Sequence, residues 1–388
     1  MPPTNLSRRT LLLGGAATAS LAALPGAPAA ASVASPPIPP VVRQIVGAVP
    51  VDDRYPFIFA IGTDGHLWLN WQQDYDYRRW GDAGTPPGVS LTTGLGVTAV
   101  DANHRPYAYA LGTDGDVWMF WRVLGGGWQW NSLGAPPPGV ATDWARACAV
   151  TIGGNSPYLF VGGEDGALWV NAPGGASWAW TSLGAPAGAT VRGVSVVGAV
   201  EMFGPTKGTS WAQAYVVVDG RLWTVPFSTT GPAWTDIGVP AGAYLNDGNL
   251  GAGARLVTEA GVRGHAYAFA MDGSTVWVFA GHSWERADSM PAGIWPANGL
   301  LGAVYQRSGH QVLFARASDN TMWTNQRSAS EDWVWTGYGP VPFVPGFGQE
   351  GAVTTTDTDL DAFQLDDAGN LWRFHLAGTV ESWTNLNG

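Results

Sequence analysis

Lysine is almost missing from this sequence: Lys207 is the only one among 388 residues. Charged residues of all kinds make up 13%, about half the ordinary share. Nucleic-acid binding by backbone neutralisation needs clustered Lys and Arg, and the net charge of -11 has the wrong sign, so that class is excluded. Cysteine is equally scarce. With Cys148 alone, no internal disulfide can form and no multi-cysteine zinc site can be built. Placed in the apolar run 147–150, Cys148 is expected to be buried and inert. Beyond the N-terminus no segment approaches the ~18 apolar residues that span a bilayer as a helix, so the mature chain should have no transmembrane segment. The bulk of Ala, Glu, Lys and Leu that builds a coiled coil or helical bundle is absent as well.

Turns and rings take their place. Glycine occurs 54 times, proline 28 times and tryptophan 22 times, and aromatic residues reach 12%. So many large rings argue against disorder, and frequent turns with few charges describe an all-β globular protein.

The N-terminus reads as an address. Ser7-Arg8-Arg9-Thr10 precedes a mild apolar run from Leu11 to Leu24, followed by Pro25 and an Ala-rich stretch to Ala31. A charged start, an apolar middle and an A-x-A-like site make residues 1–31 a cleaved secretory signal. The arginine pair resembles a bacterial twin-arginine signal, which exports folded proteins. A secreted protein without disulfides fits that route. Residues 32–40 are a Pro/Ala-rich linker.

The rest of the chain, 41–388, is one unit copied seven times. An apolar strand, Asp-Gly, an apolar residue and Trp recur as GTDGHLW at 62–68, GTDGDVW at 112–118, GEDGALW at 163–169 and VDGRLW at 218–223. MDGSTVW at 271–277, SDNTMW at 318–323 and DDAGNLW at 366–372 continue the series with a looser turn. A second series follows at Trp80, Trp130, Trp180, Trp234, Trp284, Trp335 and Trp383, often opening the tail W-x-x-[LI]-G. Repeat boundaries fall near 41–91, 92–141, 142–191, 192–245, 246–296, 297–347 and 348–388. In the second copy the spacing predicts strands over 95–102, 106–113, 116–121 and 128–133, with Asp114-Gly115 as a hairpin turn whose residues tolerate positive φ. Four strands per ~50 residues, seven times over, predicts a seven-bladed β-propeller of four-stranded antiparallel blades. No strand is visibly exchanged between the ends of the chain.

These GTDGxLW turns and W-x-[ST]-L-G tails resemble the tectonin-like repeats of bacterial seven-bladed β-propeller lectins, a group with fucose-binding members. The resemblance implies sugar binding at sites repeated around the ring. Glycans or glycoconjugates are then the partners, and sugar specificity does not transfer because it sits in variable side chains.

A sugar site needs an aromatic face for the pyranose and planar polar groups for its hydroxyls. The periodic tryptophans are read as blade packing. The non-periodic ones are the candidates. Trp71 and Trp121 lie three residues after Trp68 and Trp118 and so point to the opposite strand face. Trp128, Trp178 and Trp333 precede a second-series Trp by two. All five are candidate ligand contacts, Trp121 and Trp178 provided their rings stand exposed at blade edges, and Tyr77 and Arg78 join Trp71 in the first copy. No cofactor is required. Acidic residues gather on the expected hairpins between first and second strands, namely Asp52, Asp53, Asp101, Glu201, Glu259 and Asp357 with Asp359. Asp357, Asp359 and Asp361 are the candidate calcium loop. A secreted non-catalytic lectin is the leading reading, because no catalytic motif is recognisable. An extracellular enzyme acting on polysaccharide at an acidic channel mouth and a protein-interaction scaffold are the alternatives.

Overall fold

The computed structural model describes residues 41–387, except for 52–54, 75–76, 101–104, 124–126, 142–146, 153–155, 175–176, 192–196, 204–209, 228–230, 246–249, 256–264, 273–274, 281–282, 288–289, 306–310, 328–331, 347–351 and 356–358. The signal and linker expected over 1–40 lie outside the described residues. So do Asp52, Asp53, Asp101, Glu259 and Asp357.

Among the described residues there are twenty-eight strands and no helix, arranged as seven four-stranded antiparallel sheets in sequential order. Blade 1 is β1 (Val42–Val51), β2 (Tyr55–Gly62), β3 (Leu67–Asp74) and β4 (Tyr77–Gly84). Blade 2 is β5 (Leu91–Val100), β6 (Arg105–Gly112), β7 (Val117–Arg122) and β8 (Trp128–Gly134). Blade 3 is β9 (Cys148–Ile152), β10 (Ser156–Gly162), β11 (Leu168–Gly174) and β12 (Ser177–Gly184). Blade 4 is β13 (Val197–Phe203), β14 (Ser210–Val218), β15 (Arg221–Phe227) and β16 (Thr235–Gly238). Blade 5 is β17 (Leu250–Arg255), β18 (His265–Asp272), β19 (Thr275–Ala280) and β20 (Ser283–Ala287). Blade 6 is β21 (Pro296–Tyr305), β22 (Gln311–Ala317), β23 (Thr321–Arg327) and β24 (Trp333–Pro340). Blade 7 is β25 (Ala352–Thr355), β26 (Asp359–Leu365), β27 (Leu371–Ala377) and β28 (Val380–Asn385). The innermost strands of consecutive blades touch all the way round, β25 meeting β1, so this is a closed seven-bladed propeller.

The recurring Asp-Gly works differently from the expectation. Gly65, Gly115 and Gly166 take φ of 77, 82 and 78°, as a tight turn demands. The preceding aspartate does not share that conformation, except Asp219 at 50°. Its carboxylate is the working part. Asp114 accepts the backbone N–H of Asp116 at 3.1 Å and the indole N–H of Trp118 at 3.1 Å. Asp165 does the same for Ala167 and Trp169 at 3.0 and 3.2 Å. The turn residue therefore also fixes the first-series ring, which explains why the two recur together.

The second series stitches blades. Trp130 donates to the Ala83 carbonyl at 3.3 Å, Trp180 to Leu133 at 2.9 Å and Trp234 to Leu183 at 2.8 Å, each on the outermost strand of the blade before. Trp80 continues the belt across the chain ends, donating to the Leu386 carbonyl at 2.6 Å. Each interblade space is filled by a separate apolar cluster; the one between blades 7 and 1 joins Ile58, Ala60, Trp68 and Trp80 to Phe363, Leu365, Leu371 and Leu386. Cys148, expected to be buried, is partly buried at the start of β9, packed against the cluster between blades 3 and 4.

Candidate functional site

Consecutive blades lie face to face, so a side chain on the forward face of one blade meets the rearward face of the next. In β3, Leu67, Leu69 and Trp71 share the forward face by the two-residue period. In blade 2, Ala108, Ala110, Phe120 and Trp130 form the facing surface, and all of these belong to one cluster. Trp71 and Trp128 therefore arrive in the same space from different copies of the repeat. They line a cleft of about 300 Å³ together with Leu69, Gly81, Asp82, Ala83, Phe120 and Trp130.

The cleft is walled by a run of rings. Trp71 stacks on Phe57 with centroids 6.4 Å apart and planes within 10°. Trp128 lies on Phe120 at 4.9 Å and 2°, and also approaches Phe57 at 6.3 Å. Stacked rings hold each other's planes, which leaves a preformed apolar surface at low entropic cost. Asp82 also borders the cleft, but its carboxylate lies on the other face of β4, the side of Trp68 and Trp80. The carboxylate accepts the Gly84 N–H at 2.6 Å, and its Oδ1 lies 3.0 Å from His66 Nδ1. These contacts tie it to His66 and to the end of β4, on the face turned away from the Trp71 ring.

Gly81 makes room for Trp71. A Cβ at this position would stand 2.7 Å from the Trp71 six-membered ring. Gly81→Thr is therefore expected to expel Trp71 from its flat seat and reduce ligand affinity at this cleft about tenfold. Circular dichroism should remain of β type; unchanged affinity would show that the Trp71 ring does not contribute.

The structure places the other sequence candidates unevenly. Trp121 stacks on Tyr107 at 5.5 Å and 14°, and its indole N–H is held by Asn131 Oδ1 at 2.8 Å. Trp178 packs on the same cluster from blade 3. Neither ring is fully exposed, because the facing blade covers one side of each. Trp128 is the most open of the five at 36%. Trp333 is 4% exposed, so it is no open platform: it meets Phe269 edge-on at 5.7 Å, donates to Glu285 at 3.2 Å and lies under Arg327. Tyr77 and Arg78 begin β4 opposite Asp74 and Gln72, and their side chains lie outside the described ones.

The expected cation loop is corrected in part. Asp359 and Asp361 belong to strand β26, not to a loop. The Asp361 carboxylate is buried and already engaged, accepting from Arg373 at 2.6 and 3.0 Å and lying 2.9 Å from His375 Nδ1. Burial alone would raise its pKa; hydrogen bonds from His375 and Arg373, with their charges, outweigh that and hold it below the usual carboxylate value.

Gly81 and Phe120 were not singled out from the sequence, and Trp130 was read only as blade packing. Laying the forward face of one repeat against the rearward face of the next would have found them.

No protein-family profile matches the chain, and no curated protein matches it. Solved structures do. BP39L lectin from Burkholderia pseudomallei is similar with a TM-score of 0.65 at 18% identity, covering 89% of this chain and 98% of that one. An arginine-to-alanine mutant of AofleA from Arthrobotrys oligospora aligns with a TM-score of 0.53 at 14% identity, covering 77% and 87%. The fucose-specific lectin from Aleuria aurantia aligns at 0.51 and 15% identity, covering 76% and 96%. At these identities the likeness is one of fold.

Proposed function

We propose that this chain is a non-catalytic carbohydrate-binding protein, a lectin, acting outside the cell after export through its N-terminal signal. The observation that carries the reading is the cleft between blades 1 and 2, walled by the Trp71, Trp128 and Phe120 rings. Stacking on such rings takes the apolar face of a pyranose. That the fold neighbours are lectins, one of them fucose-specific by name, supports the same conclusion. Fucosylated glycans are the first ligands to try.

The test is a glycan array with the mature protein, followed by titration of the best hit. Trp128→Ala should weaken binding at least tenfold, about 1.4 kcal/mol, while moving the denaturation midpoint little. Silence across neutral, fucosylated and methylated sugars would overturn the reading. A Trp128→Ala protein that binds like the parent would instead overturn the placing of the site in this cleft.

A further inference from the structure

We infer that the ring carries two working sites rather than seven, and that these are neighbours: the clefts between blades 1 and 2 and between blades 2 and 3. The inference rests on the sugar-site reading of the first cleft and says how many copies of it the chain retains.

Every cleft has two ring-bearing positions. One is the third-strand residue three after the first-series Trp of the blade behind. The other lies two residues before the second-series Trp of the blade ahead. Going round from blade 1, the pairs are Trp71 with Trp128, Trp121 with Trp178, Ala172 with Pro232, and Pro226 with His282; then come Ala280 with Trp333, Gln326 with Glu381, and His375 with Arg78. Only the first two pairs supply an indole from both sides. In both, the indole from the blade behind is stacked on a second-strand ring, Phe57 or Tyr107.

Two of the remaining clefts have been put to another use. Between blades 5 and 6, Glu285 takes the Trp333 indole N–H, while Arg327 covers the ring 5.9 Å from its centroid and lies 3.5 Å from Glu285. Between blades 7 and 1, Asp361 faces His375 across the ladder at the place where Tyr107 faces Trp121. An ion pair with Arg373 there replaces the stacked rings.

The two retained clefts differ in polarity. Phe120 floors the first, and the corresponding residue of blade 3 is Asn171, wholly buried with neither carboxamide atom hydrogen-bonded. Gly81 in the first corresponds to Asn131 in the second, where it holds Trp121. Asn325 holds the same position in blade 6, equally buried and unpaired, so this carboxamide belongs to the blade interior, and the polar difference that reaches a ring is Asn131. Neighbouring, unlike sites on one side of a ring suit an extended glycan chain engaged twice, and engagement at both raises the effective concentration at the second.

The experiment counts ligands by native mass spectrometry, using methyl glycosides of fucose, galactose, mannose, glucose and N-acetylglucosamine as probes. Two equivalents are expected on the parent, one on Trp128→Ala, one on Trp178→Ala and none on the double variant. Trp295→Ala, at an exposed position on a connector away from both clefts, should keep two. An oligosaccharide of the bound sugar should lose about 100-fold in affinity when either cleft is emptied. A third equivalent, a single equivalent on the parent, or binding that survives in the double variant overturns the two-site inference while leaving the lectin reading intact. Silence of every glycoside removes the lectin reading and this inference with it.

Discussion

Trp80→Ala should be the most damaging single substitution in the propeller, costing roughly 3–5 kcal/mol in equilibrium denaturation. The indole is 7% exposed and packs with Phe363, Leu365 and Leu371 from the opposite end of the chain. Its N–H reaches the Leu386 carbonyl across 306 residues of sequence. Elsewhere in the ring, neighbouring blades are also joined by a covalent connector, so a lost contact leaves them tethered. Between blades 7 and 1 the peptide chain makes no short link, and non-covalent contacts must offset the closure entropy of the whole ring. The main-chain bond from Val42 N–H to the Gly369 carbonyl, at 3.0 Å, helps but lies at the turn end of the sheet. Trp80→Phe keeps most of the volume and removes only the donor, leaving the carbonyl unpaired, for a smaller loss of about 1–3 kcal/mol. Trp130→Ala is the internal comparison, since that ring makes the equivalent bond where a connector already joins the blades. If Trp80→Ala is no more destabilising than Trp130→Ala, ring closure does not depend on this contact.

Asp361→Asn comes second. The carboxylate has no exposed surface and is held by the Arg373 guanidinium and the His375 ring. Replacing it with an amide of the same shape strands a largely buried guanidinium, and breaking such a pair costs about 3 kcal/mol or more. The pH dependence has a definite sign. The folded carboxylate is held below its ordinary pKa, so the unfolded chain takes up the proton first on acidification. The pair's contribution is present above the unfolded value of about 3.9 and is lost as pH falls through the lower, folded one. Denaturation midpoints of parent and variant should therefore differ most at neutral pH and converge in strong acid. A gap that persists unchanged at the acid end would mean the loss comes from packing and not from charge.

The fold was legible in the sequence because its cause is local and repeated. Asp114 and Trp118 recur together since the aspartate caps the turn and bonds the indole four residues on, a contact made within one hairpin. The count of seven follows from that motif, and strands β6 to β8 begin and end within two residues of where the spacing put them. Contacts within one hairpin therefore set the blade and the number of blades.

Everything that depends on one blade facing another was decided by the tertiary structure. Trp71 and Trp128 look unrelated along the chain, in different copies and at different places in the repeat; the face-to-face stacking of sheets makes them walls of one cleft. The same stacking buries Trp333, which looked equivalent to Trp128, because Glu285 from blade 5 supplies an acceptor for its indole. Asp361 read as part of an acidic loop, and it became a buried anion because β27 presents Arg373 and His375 beside it. Strand periodicity says which face a side chain occupies. Which residues lie opposite that face is set by the order of blades around a closed ring, and so are the depth, charge and openness of each site.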